Sequence, residues 1–352
     1  MRILVQSLAF YPRVGGLENV AEMLSREFVK CGHEVTVVTS TAGDTPPDRF
    51  PYRVVRDGSL ATLVSLLRRC DIFVQFNISL KAMPALALVR RPWVISHQSY
   101  FCELGAPSIR GRLKRLAARS ALNICCSHAV AKHVGSGAVV VPNPYDESVF
   151  YSEGSEERTS EALVVARLVS DKGVAVAVEA VHQLKSEGRA VKLTIVGDGP
   201  ERAPLEAQVK NLGLGQQIFF TGSLGPREVA HQMRAHRILV VPSVWEEPFG
   251  IVALEGLASG CGVIASACGG LPEAVSEYGS TFPTGDSKSL AALLKTKLGE
   301  PRVDIAAKAR EHLARHQSPQ VAQCYLEHFS RLVRDSEREM KSKGEMNQFE
   351  TR

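Results

Sequence analysis

Short apolar runs alternate with longer stretches in which apolar positions recur at helical spacing, and this alternation repeats along most of the chain. The first run is Arg2–Ser7, followed by a glycine-containing loop through Gly16. Within residues 17–30, Val20, Ala21, Leu24 and Phe28 share one helical face; Gly32 ends that helix, and residues 34–39 form a valine-rich strand. Strand, helix, strand in this order predicts a parallel sheet covered on both faces. Buried strands are expected at 72–75, 93–96, 123–126 and 138–141. Pro142-Asn143-Pro144 then breaks the chain, and the polar, glutamate-rich stretch 152–160 reads as a linker.

The alternation restarts beyond it. Strands are expected at 162–166, 192–196, 218–221, 238–242 and 262–266, with helices at 173–187, 200–212, 226–236 and 249–259 between them. Helices near 287–298 and 303–315 follow, and a last one near 319–334 is expected to pack back on the first half. Residues 335–352 are charged without a hydrophobic period and read as a disordered tail. The expected domains are therefore 1–150 and 151–318. Two parallel sheets of similar size predict a cleft between the carboxyl ends of their strands, where such sheets bind ligands.

Composition narrows this picture only a little. With 352 residues the chain suits two domains, and 45% apolar and 22% charged residues are ordinary for a globular protein. A net charge of +5 does not call for nucleic acid, but favours anionic substrates or an anionic membrane surface. The eight cysteines, Cys31, Cys70, Cys102, Cys125, Cys126, Cys261, Cys268 and Cys324, form no CxxC pair and no zinc spacing. They read as reduced thiols in a cytoplasmic protein. The apolar start is cut short by Gln6, which argues for a strand rather than a signal peptide. No apolar run approaches the ~20 residues that span a bilayer, so any membrane contact would be peripheral.

The chemistry concentrates in Ser243-Val244-Trp245-Glu246-Glu247-Pro248-Phe249-Gly250-Ile251-Val252-Ala253-Leu254-Glu255, which follows a strand and opens a helix. A helix start suits a phosphate. Counted as helical rise, Glu255 lies about 9 Å along from that start, so one carboxylate suits sugar hydroxyls and the other a ribose. The segment resembles the GT-B-fold retaining glycosyltransferases of family 4, whose signature is Glu-x7-Glu with Phe-Gly after the first Glu. The resemblance covers nearly the whole chain. It implies an α/β fold of two Rossmann-like parallel-sheet domains facing across a cleft, with the acceptor in the first domain and a UDP-, GDP- or ADP-sugar in the second. It places Glu247 on the donor sugar, the backbone of Phe249, Gly250 and Ile251 on sugar and phosphate oxygens, and Glu255 on the ribose.

Further elements fall in register with this likeness. Arg167 and Lys172, five residues apart after the first strand of the second half, match an Arg-x4-Lys-Gly element and can both reach one diphosphate. Val14-Gly15-Gly16-Leu17-Glu18 lies between the first strand and helix, where Gly15 and Gly16 permit close backbone approach. Gly197 and Gly199 resemble the family's Gly-x-Gly-Pro turn near the nucleotide. Gly269 and Gly270 resemble its Gly-Gly-x-Pro-Glu loop lining the donor pocket. His97, at a strand end, corresponds to a family histidine near the reacting sugar carbon, although Gln98 follows where relatives carry Asp. At the crossover Pro144 replaces a glycine and stiffens the chain. Each of these also has a plain structural reading, as a tight turn or a core histidine.

Arg110, Arg112, Lys114, Arg115 and Arg119 lie beside Ile109, Leu113, Leu116 and Ala117, the pattern of a basic amphipathic helix. It is read as contact with an anionic membrane or a lipid-linked acceptor, or else as an ordinary solvated helix. The overall expectation is a metal-independent hexosyltransferase without a cofactor, acting on a glycan or lipid-linked glycan in cell-surface polysaccharide or glycoconjugate synthesis. The alternatives are a non-catalytic sugar-nucleotide-binding subunit and a sugar-nucleotide epimerase of the same architecture.

Overall fold

The computed structural model describes residues 1–12, 15–44, 46, 49–100, 108–154 and 157–350, with side chains described through Glu339. Val14, Cys102 and part of the expected linker, Ser155 and Glu156, lie outside the described residues. The chain forms two compact units, one of Met1–Pro144 with Ser318–Arg352 and one of Tyr145–Gln317.

The first unit is built on strands β1 (Arg2–Ser7), β2 (Glu34–Val38), β3 (Arg53–Val55), β4 (Ile72–Phe76), β5 (Trp93–His97), β6 (Leu122–Cys125) and β7 (Val139–Val140). They lie in the order β3-β2-β1-β4-β5-β6-β7, every neighbouring pair parallel. β4 and β5 are buried at every position, as helices on both faces of a parallel sheet require. The order reverses between β1 and β4, where the buried Gln75 Nε2 donates to Gln6 Oε1 across the two strands at 2.6 Å.

The second unit repeats the design with β8 (Ser160–Val165), β9 (Leu193–Val196), β10 (Ile218–Gly222), β11 (His236–Val241), β12 (Gly262–Ser266) and β13 (Ser280–Phe282). The order is β10-β9-β8-β11-β12-β13, again all parallel. It reverses between β8 and β11, so the loops leaving those two strands diverge around one crevice. The helix Val174–Ser186 turns Ala177, Val178, Val181 and Leu184 onto Leu193, Ile195 and Ile238 of this sheet.

The division between the units departs from the expected 150/151. It falls before Tyr145, because Tyr145 and Phe150 are both buried in the second unit. Tyr145 also pairs with Gln317 in a parallel bridge, so the chain's two passages between units run side by side. Several elements were missed: the edge strands β3 and β13, the helix Leu60–Arg69 despite its apolar Leu60, Leu63, Val64 and Leu67, and the short helices Met83–Leu88, His128–Val134 and Leu271–Val275.

The last helix packs back on the first unit through Val321, Ala322, Tyr325, Leu326 and Phe329. Phe28 meets the rings of Tyr325 and Phe329 at 6.4 and 5.5 Å, and Tyr325 Oη shares a 2.8 Å hydrogen bond with Ser96 Oγ on β5. The expected disordered tail is instead a continuation of this helix, which runs as Ser318–Glu350. Glu, Lys, Arg and Met carry it by intrinsic helix propensity where the apolar stripe has ended. Phe329→Ala should destabilise the first unit by about 3–5 kcal/mol. A urea midpoint equal to that of the wild type would show that the helix is not part of that core.

Candidate active site

The loops that leave β8 and β11 at the order reversal carry the expected cations and carboxylates. After β8 the chain makes the turn Ser170–Lys172, and after β11 it runs as an irregular loop from Ser243 to Gly250, with bends at Trp245 and Pro248. Val244 N–H donates to Asp171 O at 3.0 Å and ties the two loops together. Lys172 Nζ forms an ion pair with Glu247 Oε1, and Ser243 Oγ donates to the same oxygen at 2.7 Å. Glu247 is only 8% exposed, so its charge is held by fixed donors rather than by water. Arg167, five residues before Lys172, is exposed and makes no ion pair among the described residues. Lys172 thus reaches the carboxylate, while the Arg167 side chain takes no partner among the described residues.

The loop after β12 fixes Glu247 from below. Gly270 N–H donates to Glu247 O at 2.7 Å. Gly269 has φ of +54°, and a Cβ there would lie 2.0 Å from Glu247 O; one on Gly270 would lie 2.5 Å from Pro248 O. Only a chain without side chains fits here, so Gly269 and Gly270 act by close backbone approach to the Glu247 segment. The Cys268 thiol donates to Trp245 O at 3.1 Å and continues the seam.

The helix after Glu247 is shorter than expected and spans Ile251–Ala258, with Gly250 in the left-handed region at φ of +101°. Glu247 therefore lies in the preceding loop, and the 9 Å expected along one helix is not a helical rise. Ile251 to Glu255 is one turn, about 6 Å. The Phe249 ring is buried and leans on His316 at 5.5 Å. Glu255 is half-buried, and its carboxyl takes no hydrogen bond among the described residues. Burial pushes its carboxyl up to about 7, and Asp146 adds like-charge repulsion.

Gly197 and Gly199 support the Arg167 loop. A Cβ on Gly197 would lie 1.8 Å from Ala166 O, and one on Gly199 would lie 2.3 Å from Leu168 O. Leu168 N–H donates to Asp198 O at 2.9 Å. The two glycines thus hold the chain on either side of Arg167.

In the first unit Gly15 precedes the helix Gly16–Lys30, and its O accepts from Asn19 N–H at 3.0 Å. His97 ends β5 fully buried, with Nε2 at 2.8 Å from Asn123 Oδ1. Burial lowers its pKa to about 4 against the opposing Asn123 bond, with His133 and Lys114 lowering it further, so the ring is neutral near pH 7. Asn77, a residue the sequence did not single out, adopts φ of +57° and accepts from Gln98 N–H at 2.7 Å and Ser99 N–H at 3.1 Å. It clamps the turn that leaves His97. Ser243, Cys268, Asn123 and Asp146 were likewise missed. Only Asn77 offered a signal, as an Asn at a strand end, where left-handed backbone is tolerated.

Two doubly wound parallel units, with paired cation and carboxylate loops at the order reversal of the second, define a glycosyltransferase of the GT-B class. Two family models match the chain: Glycosyltransferase Family 4 over residues 14–149 and Glycosyl transferases group 1 over residues 146–314. The chain belongs to the family 4 GT-B glycosyltransferases. It is 37% identical to a 2-deoxystreptamine glucosyltransferase of Streptomyces kanamyceticus, over 43% of this chain and 40% of that protein. It is 28% identical to glycogen synthase of Mycobacterium tuberculosis, over 90% and 89% of the two chains. The fold matches Anabaena HepE in complex with UDP, with a TM-score of 0.80 at 21% identity over 94% and 100% of the chains.

Gly269→Ala combines a left-handed backbone with a clash, and should lower the melting temperature by about 4–8 °C. Gly285→Ala, at φ of +78° with nothing within 4 Å, should cost less. Equal effects would remove the case for contact with Glu247. Glu255 offers a second test. Its folded pKa of about 7 lies above the ordinary 4.5, so folding takes up a proton between these values and stability falls as pH rises through that window. Glu255→Gln should therefore gain melting temperature over the wild type with rising pH and level off above about 7. A gain independent of pH would contradict the shift.

Proposed function

We propose that this glycosyltransferase moves a hexose from a nucleoside-diphosphate sugar to an acceptor hydroxyl with retention of anomeric configuration. The observation that carries the reading is the exposed, uncommitted Arg167 in the same loop as the Lys172 of the Lys172–Glu247–Ser243 cluster. Arg167 and Lys172 hold the diphosphate, Glu247 accepts from sugar hydroxyls, and Glu255 accepts from ribose hydroxyls. In the reaction the bond from the anomeric carbon to the diphosphate oxygen breaks, and the acceptor oxygen bonds to that carbon from the same face. The acceptor proton passes to the leaving phosphate. Negative charge grows on that phosphate, and fixed cations stabilise it in the transition state without a metal ion. Glu247, already bonded to Lys172 and Ser243, serves as an orienting base for hydroxyls rather than as a nucleophile.

The acceptor is assigned to a glycan or lipid-linked glycan of cell-surface synthesis. Relatives in support include a Mycobacterium tuberculosis GDP-mannose-dependent phosphatidylinositol dimannoside mannosyltransferase, 25% identical over 86% of this chain. The uridine base has support in HepE, whose structure contains UDP.

A thermal-shift screen of UDP-, GDP- and ADP-sugars should raise the melting temperature with one base, because a ligand of the folded state stabilises it. With that donor, Arg167→Ala should lower kcat by about 10²–10³, the scale of one lost transition-state donor, and EDTA should leave turnover unchanged. An inverted anomer in the product, a trapped sugar–enzyme adduct, or full activity in Arg167→Ala would each overturn the mechanism. Donor binding without turnover on any acceptor would favour a binding subunit instead.

A further inference from the structure

The helix Ile109–Ala118 packs the opposite way from an ordinary surface helix. Ser108 Oγ caps it by accepting from Gly111 N–H at 3.0 Å. Its buried positions are small, Gly111, Ala117 and Ala118, and the two alanines join the core around Ala82 and Ala85. Its large aliphatics point out: Ile109 is 78% exposed, Leu113 50% and Leu116 61%. At about 100° per residue these three lie within an arc of about 60°. Arg112, Arg115 and Arg119 border that stripe on one side, and Arg110 borders it on the other; all four are exposed. No acidic residue occurs between Ser108 and Ser120.

We propose that this face docks on an anionic phospholipid surface, with the helix lying in the plane of the interface. Ile109, Leu113 and Leu116 enter the acyl boundary, and the arginines on either side meet lipid phosphates. An apolar stripe edged by guanidinium groups matches the two layers of such a surface, headgroup and hydrocarbon. A second copy of the chain is a poor occupant, because a symmetric contact would set arginines against arginines with no acid on the helix. The helix supplies no group to the transfer chemistry, so the proposal stands or falls separately from the reaction.

The test uses the full chain and vesicles of phosphatidylcholine, alone or mixed with phosphatidylglycerol, in a sedimentation assay. The wild type should partition onto the mixed vesicles and not onto phosphatidylcholine alone. Ile109→Ser/Leu113→Ser/Leu116→Ser and Arg110→Gln/Arg112→Gln/Arg119→Gln should each lose roughly tenfold or more in partition. Both should keep the wild-type melting temperature and donor turnover on a soluble acceptor, since the changed side chains are exposed. Loss of partition in the arginine variant alone would overturn the inserted stripe and leave a purely electrostatic contact. No vesicle binding by the wild type, or a wild-type dimer that the serine variant dissolves, would overturn the proposal altogether.

Discussion

A carboxylate withdrawn from water must be given partners, and the arrangement around Glu247 follows from that requirement. An isolated buried charge is costly enough to be neutralised by protonation, whereas one matched by a cation and a hydroxyl keeps its charge. Lys172 and Ser243 supply those two partners from loops that leave adjacent strands. The loops meet only because β8 and β11 are neighbours at the point where strand order reverses. Gly269 and Gly270 then set a third backbone against the Glu247 segment at a distance no side chain would allow.

The second carboxylate is left in the opposite state. Glu255 has no donor among the described residues, and burial with Asp146 nearby holds its proton to about 7. Close to neutral pH a hydroxyl donated by a ligand would favour the charged form and relieve a cost the unliganded fold carries. Arg167 is complementary in sign, an exposed cation whose loop is locked by Gly197 and Gly199 while its side chain is uncommitted. The unit therefore holds one ion pair ready-made, together with a cation and a carboxyl whose side chains have no partner among the described residues.

Much of this was legible in the chain because parallel strands are continuous apolar runs and their connecting helices carry a clear period. The order of the elements followed from these signals, whereas Glu247, Glu255, Arg167 and Lys172 were singled out by their likeness to the family's Glu-x7-Glu and Arg-x4-Lys-Gly elements. What escaped was set by tertiary contact. Ser243 and Asn123 look like ordinary polar residues until folding brings them to Glu247 and His97. The glycines gave their presence but not their packing: a Cβ on Gly197 or Gly199 would meet Ala166 O or Leu168 O, contacts no sequence pattern shows. The boundary between units was displaced because polarity in 152–160 was a weaker guide than the burial of Tyr145 and Phe150. The tail was misjudged because a helix needs no apolar stripe when its residues favour the helical state.

The helix Ile109–Ala118 marks where periodicity reaches its limit. A hydrophobic period fixes which residues share a face but not which way that face turns. Size decides the direction here. Gly111, Ala117 and Ala118 let the helix backbone come close to the segment containing Ala82 and Ala85, and Ile, Leu or Arg at those positions would hold it away. Once the small side is inward, the geometry of the helix forces Ile109, Leu113 and Leu116 outward. Their exposure is then a consequence of close packing on the opposite side rather than a failure to fold. A soluble surface would gain nothing from three large aliphatics in one stripe, while an interface with both a charged and an apolar layer accommodates every residue on that face.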